Sequence, residues 1–146
     1  MIKMRPKYEE DFYGWTIANA TLLKQGKFNE VDMENIIEEI ESMGRSEENQ
    51  LTRRLSLILM HLLKWQYQPT LQGKSWEVTL REQRRACRRL ISRNPTLKAK
   101  MNNCLFDAYE DAVDEAIKET GLDEKTFPSS CPYTLEQIMN NEFYPE

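Results

Sequence analysis

The fold follows from LILMHLLKWQYQP at residues 57–69, a stretch in which leucines and one isoleucine surround a single histidine. Together with Leu51 and Leu55 just before it, this stretch covers more than half of a helical wheel with apolar side chains. A helix that is apolar over so much of its circumference lies in the middle of a bundle. We therefore expect this helix to be the most buried one and Pro69 to end it.

The same helical spacing of apolar residues recurs along nearly the whole chain. It predicts five main helices, over about residues 8–25, 32–44, 46–68, 75–93 and 94–120. The alternative for the second and third is one continuous helix kinked near Gly44. Thr134 and Gln137 form a capping box that opens a short C-terminal helix. The sequence therefore predicts an all-α helical bundle, with residues 1–146 as a single domain.

Composition places the chain in a broad class. A length of 146 residues is typical of one domain, and the N-terminal MIKMRPKYEEDF lacks the apolar run of a secretory signal. The longest apolar stretch, 55–63, is far shorter than the roughly 20 residues that span a bilayer. Three widely spaced cysteines fit free thiols in a reducing compartment. We expect a cytoplasmic protein with no membrane span.

Charge is distributed unevenly around a net value of -4. Residues 53–104 hold twelve Lys or Arg against two Glu, and acidic segments flank them on both sides. The densest basic run is REQRRACRRLISR at residues 81–93, on a helix whose inner face we assign to Trp76, Leu80, Cys87, Leu90 and Ile91. The opposite side is predicted to present Arg81, Arg84, Arg85, Arg88 and Arg89, which are the first candidate binding residues.

Several interpretations of this arginine helix stay open, among them contact with an anionic membrane surface. The arginines can pair with acidic helices of the same chain or of a second copy, which is the interpretation we favour. They can also bind an acidic protein partner. Nucleic acid is possible but less favoured, because the acidity of the whole chain opposes steering toward polyanions.

His61 and Lys64 share the narrow polar arc of the central helix and are the remaining candidate binding residues. His61 could act as a general base or ligand beside the lysine. The alternative, which we favour, is a histidine that is hydrogen-bonded to a neighbouring helix, for example through a carboxylate. One histidine with no nucleophile or metal partner in the pattern is not a catalytic constellation, so no catalytic residue is assigned.

Two helices carry acidic stripes that could suggest a divalent-metal site. The stripes consist of Glu34, Glu38 and Glu41 on one helix and of Asp107, Glu110, Asp111 and Asp114 on another. Each stripe lies opposite its own helix's apolar face, where Ile36, Ile40 and Met43 mark the inner side of the first. The geometry favours solvated acidic faces, so we predict no metal and no cofactor.

The motifs resemble those of a bacterial family catalogued as domain of unknown function 29. They are YEEDFYGW from residue 8, LLKQGKF from 22, ENIIEEIESMGRSE from 34, LMHLLKWQYQP from 59, SWEVTLREQRR from 75, NPTLK from 94, AYEDA from 108, ETGL from 119 and FPSSCPYTLEQI from 127. The resemblance implies an all-α bundle in a small cytoplasmic protein. It carries over no activity, substrate or catalytic residue.

These observations favour a non-enzymatic helical protein-interaction module, with self-association included. A protein partner or a homo-oligomer is therefore expected. The enzymatic alternative is a small metal-dependent hydrolase of a phosphorylated substrate. It would hold metal with acids of 34–41 and 107–115 and bind phosphate through Arg84 or Arg88. A neutralising partner of a toxin is a further alternative.

Overall fold

The computed structural model describes residues 5–146, and this part of the chain contains helices and no strand. The α-helices are α1 (Phe12–Lys24), α2 (Met33–Tyr67), α3 (Lys74–Arg93), α4 (Met101–Thr120) and α5 (Leu135–Met139). Single 3-10 turns occur at Pro69–Leu71, Pro95–Lys100 and Glu124–Thr126. The predicted all-α fold is confirmed. The beginning of the N-terminal stretch that we read as lacking a secretory signal lies outside the described residues.

The predicted second and third helices are one element. α2 runs without interruption for 35 residues and includes Gly44, so the main helices number four rather than five in the described chain. This is the continuous helix that the sequence left open as the alternative. A glycine costs a helix only about 1 kcal/mol relative to alanine. The good helix formers on both sides of Gly44 outweigh that cost.

Several helix ends are confirmed. Gly26 and Gly121 take left-handed φ values of 74° and 72° after α1 and α4, which only glycine adopts without strain. Thr134 and Gln137 form the predicted capping box at α5. At the start of α2, the Asp32 carboxylate accepts a hydrogen bond from the backbone N–H of Asn35 at 3.4 Å.

Two predicted helix starts are wrong. α3 begins at Lys74 after Gly73, so Ser75 lies inside the first turn instead of capping it. Pro95 opens a 3-10 segment, and α4 begins only at Met101. Proline supplies a suitable φ for either type of helix, so the sequence marks the start without distinguishing the two.

Backbone contacts divide the chain into two compact units, of which the first ends at Gly44. In this first unit, α1 pairs with the first turns of α2. Trp15 Nε1 donates to the Asp32 carboxylate at 2.9 Å, and the Asn19 side-chain oxygen accepts from the Asp32 N–H at 2.8 Å. The Tyr8 hydroxyl donates to Glu39, and this bond raises the pKa of Tyr8 to about 12. These contacts define an antiparallel helical hairpin.

The second unit runs from Arg45 to Glu146 and contains the hydrophobic core. α2 supplies nine buried residues, all after Gly44, against six from α4. The prediction that this part of the chain is the most buried helix is therefore confirmed. Leu80 and Cys87 of α3 and Ile138 of α5 pack into the same cluster with no exposed surface.

The C-terminal segment is attached by buried tyrosines. Tyr109 on α4 donates its hydroxyl to the carbonyl of Pro128 at 2.6 Å, and Tyr133 donates to the Gln66 side chain at 2.7 Å. Burial raises the pKa of Tyr109 to about 12. The three cysteines are free thiols, as expected, and burial raises the pKa of Cys87 to about 11.

Gly44→Ala should stabilise the chain. A Cβ at this position meets nothing within 4 Å, and alanine is favoured in a helix interior by about 1 kcal/mol. Urea denaturation should show an increase of about that size in the free energy of unfolding. Gly121→Ala is the matched control, since its left-handed backbone should make the same change destabilising. A destabilised Gly44→Ala variant would contradict the uninterrupted helix with open space around Gly44.

Candidate functional site

The arginine face of α3 is largely exposed. Leu80, Cys87 and Leu90 are buried on the inner side of the helix. The side chains of Arg81, Arg85, Arg88 and Arg89 reach the surface. Within residues 5–146, no acidic side chain pairs with Arg81, Arg85 or Arg89. The structure therefore shows no same-chain pairing for these three arginines, and pairing with a second copy stays a prediction.

Arg84 does not belong to this face, and its predicted exposure is wrong. Its side chain is completely buried. Position 84 follows Leu80 by four residues and precedes Cys87 by three, so helical spacing puts it in the middle of the inner face. This spacing was visible in the sequence, but we placed Arg84 on the outer face because its side chain is charged.

The guanidinium of Arg84 binds backbone carbonyls of the C-terminal segment. Nε donates to Ile138 O at 2.7 Å, and Nη2 donates to Phe143 O at 3.0 Å and to Gln137 O at 3.3 Å. The ring of Tyr144 lies 6.0 Å from the guanidinium carbon. Burial lowers the pKa of Arg84. Arg84 thus fixes the end of the chain on α3 and is not free to bind phosphate.

Arg88 has a mixed position. Its side chain is exposed, but Nη1 donates to Met139 O at 3.2 Å and to the Asn141 side chain at 3.4 Å. Like Arg84, it therefore binds the C-terminal segment through hydrogen bonds. The free positive surface, which we call the arginine face, consists of Arg81, Arg85 and Arg89.

His61 and Lys64 are engaged inside the second unit. His61 is 8% exposed, and its Nδ1 donates to the Leu57 carbonyl at 2.9 Å, since a carbonyl can only accept. This contact confirms that a hydrogen bond holds His61, but the partner is a carbonyl of the same helix and not of a neighbouring helix as expected. Lys64 Nζ contacts the Glu119 carboxylate at 2.6 Å and lies 4.8 Å from the Trp76 ring centre. Both residues thus make structural contacts.

All residues of the two acidic stripes are exposed. Within residues 5–146, no group of three His, Cys, Asp or Glu side chains is close enough to hold a metal ion. The side chains nominated for the hydrolase alternative therefore do not converge in this part of the chain. None of the helices in the same range is both long and apolar enough to cross a lipid bilayer.

The structure shows an apolar surface that the sequence did not predict. Ile40 and Met43, which we assigned to an inner face of α2, are 63% and 68% exposed. Met33 and Ile37 are each 47% exposed on the same part of the helix. Helical spacing places Phe12 and Leu23 of α1, 49% and 39% exposed, on the same side of the hairpin. We call these six residues the hairpin face.

A comparison with protein families identifies the chain's relatives. The family described as Domain of unknown function DUF29 matches residues 7–144, which is nearly the whole chain. The chain belongs to this family. No curated protein and no solved structure matches it. The DUF29 description names no activity, so the function of this chain has to be argued from its own surfaces.

Replacing Arg84 should destabilise this DUF29 chain. Arg84→Met keeps most of the side-chain volume but removes every donor to the three carbonyls. Because a lost buried hydrogen-bond partner costs about 1–3 kcal/mol, we expect a total loss of roughly 2–4 kcal/mol in urea denaturation. Arg85→Met, one residue away on the exposed side, should change the free energy of unfolding by less than about 0.5 kcal/mol. Equal effects of the two variants would contradict the assigned role of Arg84.

His61 should make the stability of this DUF29 chain depend on pH. Burial lowers the pKa of His61 below its usual 6.5, so the unfolded chain takes up the proton first as the pH falls. The folded state therefore loses stability as the pH falls below about 6.5. His61→Gln removes this contribution, and because no other histidine is present, the comparison isolates it.

The measurement is the free energy of unfolding at about pH 7.5 and about pH 5.5. The unaltered chain should lose more stability between these values than His61→Gln does. At the higher pH, the variant should itself be about 1–3 kcal/mol less stable if glutamine does not restore the bond to Leu57. Identical pH dependence in the two proteins would show that His61 is not held as a neutral, buried imidazole.

Proposed function

We propose that this DUF29 chain is a non-enzymatic helical protein-interaction module. The observation that supports this function best is the hairpin face, on which six large apolar side chains are between 39% and 68% exposed. Apolar residues scattered singly over a surface are ordinary, whereas a contiguous apolar patch marks a contact with another molecule. We assign the hairpin face to the second kind, because helical spacing places its residues on one side of α1 and of the first turns of α2.

The arrangement of charge supports the same function. None of the six positions is charged, and Glu34 and Glu41 border the hairpin face beside Ile37, three and four residues away along α2. Interface cores are depleted in charged residues, since burying an unpaired charge is costly. The surface thus has the composition of an interface centre rather than of a solvated helix.

The arginine face is a second proposed contact, of a different kind. Arg81, Arg85 and Arg89 have no acidic partner within residues 5–146, so they are available to carboxylates of another protein. Such a contact is charge-assisted and weakens as salt is added. Nucleic acid remains the less favoured partner of this face because the whole chain carries a net charge of -4.

The other functions have less support. A metal-dependent hydrolase needs convergent carboxylates and a free phosphate-binding arginine. Its nominated acids are exposed without converging, and Arg84 is occupied by the C-terminal carbonyls. A toxin-neutralising role would be one case of an interaction module, and no feature of the described chain selects a toxin as the partner.

The proposed function can be tested by photo-crosslinking in the cell that makes the protein. A photoreactive amino acid replaces Ile40, and in a control chain it replaces Ser42. Both positions are exposed on α2 and only two residues apart, but helical geometry points them to nearly opposite sides. If the hairpin face is an interface, illumination should give a protein adduct from position 40 and little from position 42.

The two positions differ only in the direction that they face, so the comparison controls for expression, exposure and reagent. Equal and low yields from both positions would show that the hairpin face is uncovered in the cell. The interaction-module function would then lose its main support. A parallel chain with the photoreactive residue at Arg85, illuminated in a cell lysate at low and at high salt, tests the arginine face, where the adduct should disappear in high salt.

A further inference from the structure

α2 carries apolar residues on one helix face in its first and in its second half, and only those of the second half are covered. After Gly44, this apolar seam consists of Leu51, Leu55, Ile58 and Leu62, none of which has exposed surface. Counting back along the same helix face at about 100° per residue leads to Met33, Ile37 and Ile40. These three residues are 47–63% exposed. One helix surface is thus packed as a core in its second half and open in its first half.

The hairpin of α1 and α2 widens this open surface. Trp15 and Asn19 of α1 face α2, as their bonds to Asp32 show. In an antiparallel pair, Phe12 and Leu23 then lie on the same side as Met33, Ile37 and Ile40. Thr16 and Ala20 lie next to Phe12 and Leu23 in helical spacing, and both are small and uncharged. The six positions of this two-helix face are uncharged, with Glu34 and Glu41 at its border beside Ile37.

The exposed area is sufficient for a dimer. The six side chains of the hairpin face together expose the equivalent of about three whole side chains. Taking roughly 200 Å² for each gives roughly 600 Å² of apolar surface on one copy. Two such faces bury roughly 1,200 Å², which reaches the lower end of stable protein–protein interfaces before any polar rim is counted.

We propose that the hairpin face binds the hairpin face of a second copy of this chain. The inference rests on the proposed function and names its partner. A two-fold axis brings identical patches together, and two helical hairpins joined in this way make a four-helix bundle with an apolar centre. Because none of the six positions is charged, a two-fold contact places no like charges opposite each other at its centre. The dimer therefore covers the open half of the α2 seam by the packing that already covers the other half.

The test is sedimentation velocity of the purified full chain from about 1 µM to about 100 µM. The unaltered chain should change from monomer to dimer within this range. Ile40→Glu should weaken dimerisation by at least roughly 100-fold, because the dimer would bury two unpaired carboxylates. Ser42→Glu adds the same charge on the other side of the helix and should leave the dimer within about threefold of the unaltered chain.

Folding is checked separately from association. Ile40 is 63% exposed in one copy, so the far-ultraviolet circular dichroism of Ile40→Glu should equal that of Ser42→Glu. Should Ile40→Glu fold poorly, Ile40→Ser gives the same comparison without a charge, with a smaller loss of roughly tenfold. High salt should not dissociate the dimer, since the contact is apolar, and dissociation by salt would instead assign it to the arginine face.

Each outcome decides between the two proposals. A chain that stays monomeric at the highest concentration overturns the second-copy inference, as does an Ile40→Glu variant that dimerises like the unaltered chain. If the purified chain is monomeric while position 40 crosslinks to a different protein in the cell, the inference fails and the interaction function stands. If position 40 gives no adduct and the chain is monomeric, both proposals fail.

Discussion

The packing of the second unit depends on the apolar seam of α2 between Leu51 and Leu62. Every α-helix of this unit contributes a fully buried residue to the cluster around it, including Leu80 of α3, Ala108 of α4 and Ile138 of α5. A core built around one long helix needs no sheet and no disulfide. The remaining helices need only one apolar face each, and that leaves their outer faces free to be charged. The arginines of α3 and the acids of α4 are a consequence of this arrangement.

The C-terminal segment shows how a short element is held without a large core of its own. α5 has only five residues, which is too short for a helix to be stable by itself. Its capping box supplies hydrogen-bond acceptors for the first backbone N–H groups, and Arg84 donates hydrogen bonds to carbonyls at the other end of the helix. Burying an arginine side chain costs free energy, but its guanidinium donates hydrogen bonds to three carbonyls at once, which a neutral side chain cannot do. The tail is therefore fixed by polar contacts as much as by apolar burial.

The sequence predicted most of the fold because the signals involved are local. Helix-ending glycines at 26 and 121 and the capping box at Thr134 depend on the backbone within a few residues, and they were confirmed. The sequence did not decide whether the helix ends at Gly44, because the low helix propensity of one glycine is a weak effect within a long helix. Arg84 was misplaced because residue type was given more weight than its position between Leu80 and Cys87. Its carbonyl partners lie more than fifty residues away, and no local pattern contains them.

The candidate site was harder to predict than the fold for a related physical reason. Helical periodicity shows which side of a helix is apolar, but it does not show what covers that side. Ile40 and Leu51 carry the same signal on α2, yet one is 63% exposed and the other has no exposed surface. Every residue that α2 contributes to the hydrophobic core lies after Gly44. An apolar pattern that continues past the residues covered by the chain's own helices is therefore typical of an interface. On α2, the acidic and polar residues that follow Gly44 interrupt the seam. This break separates the surface that the chain covers itself from the surface that we assign to a second copy.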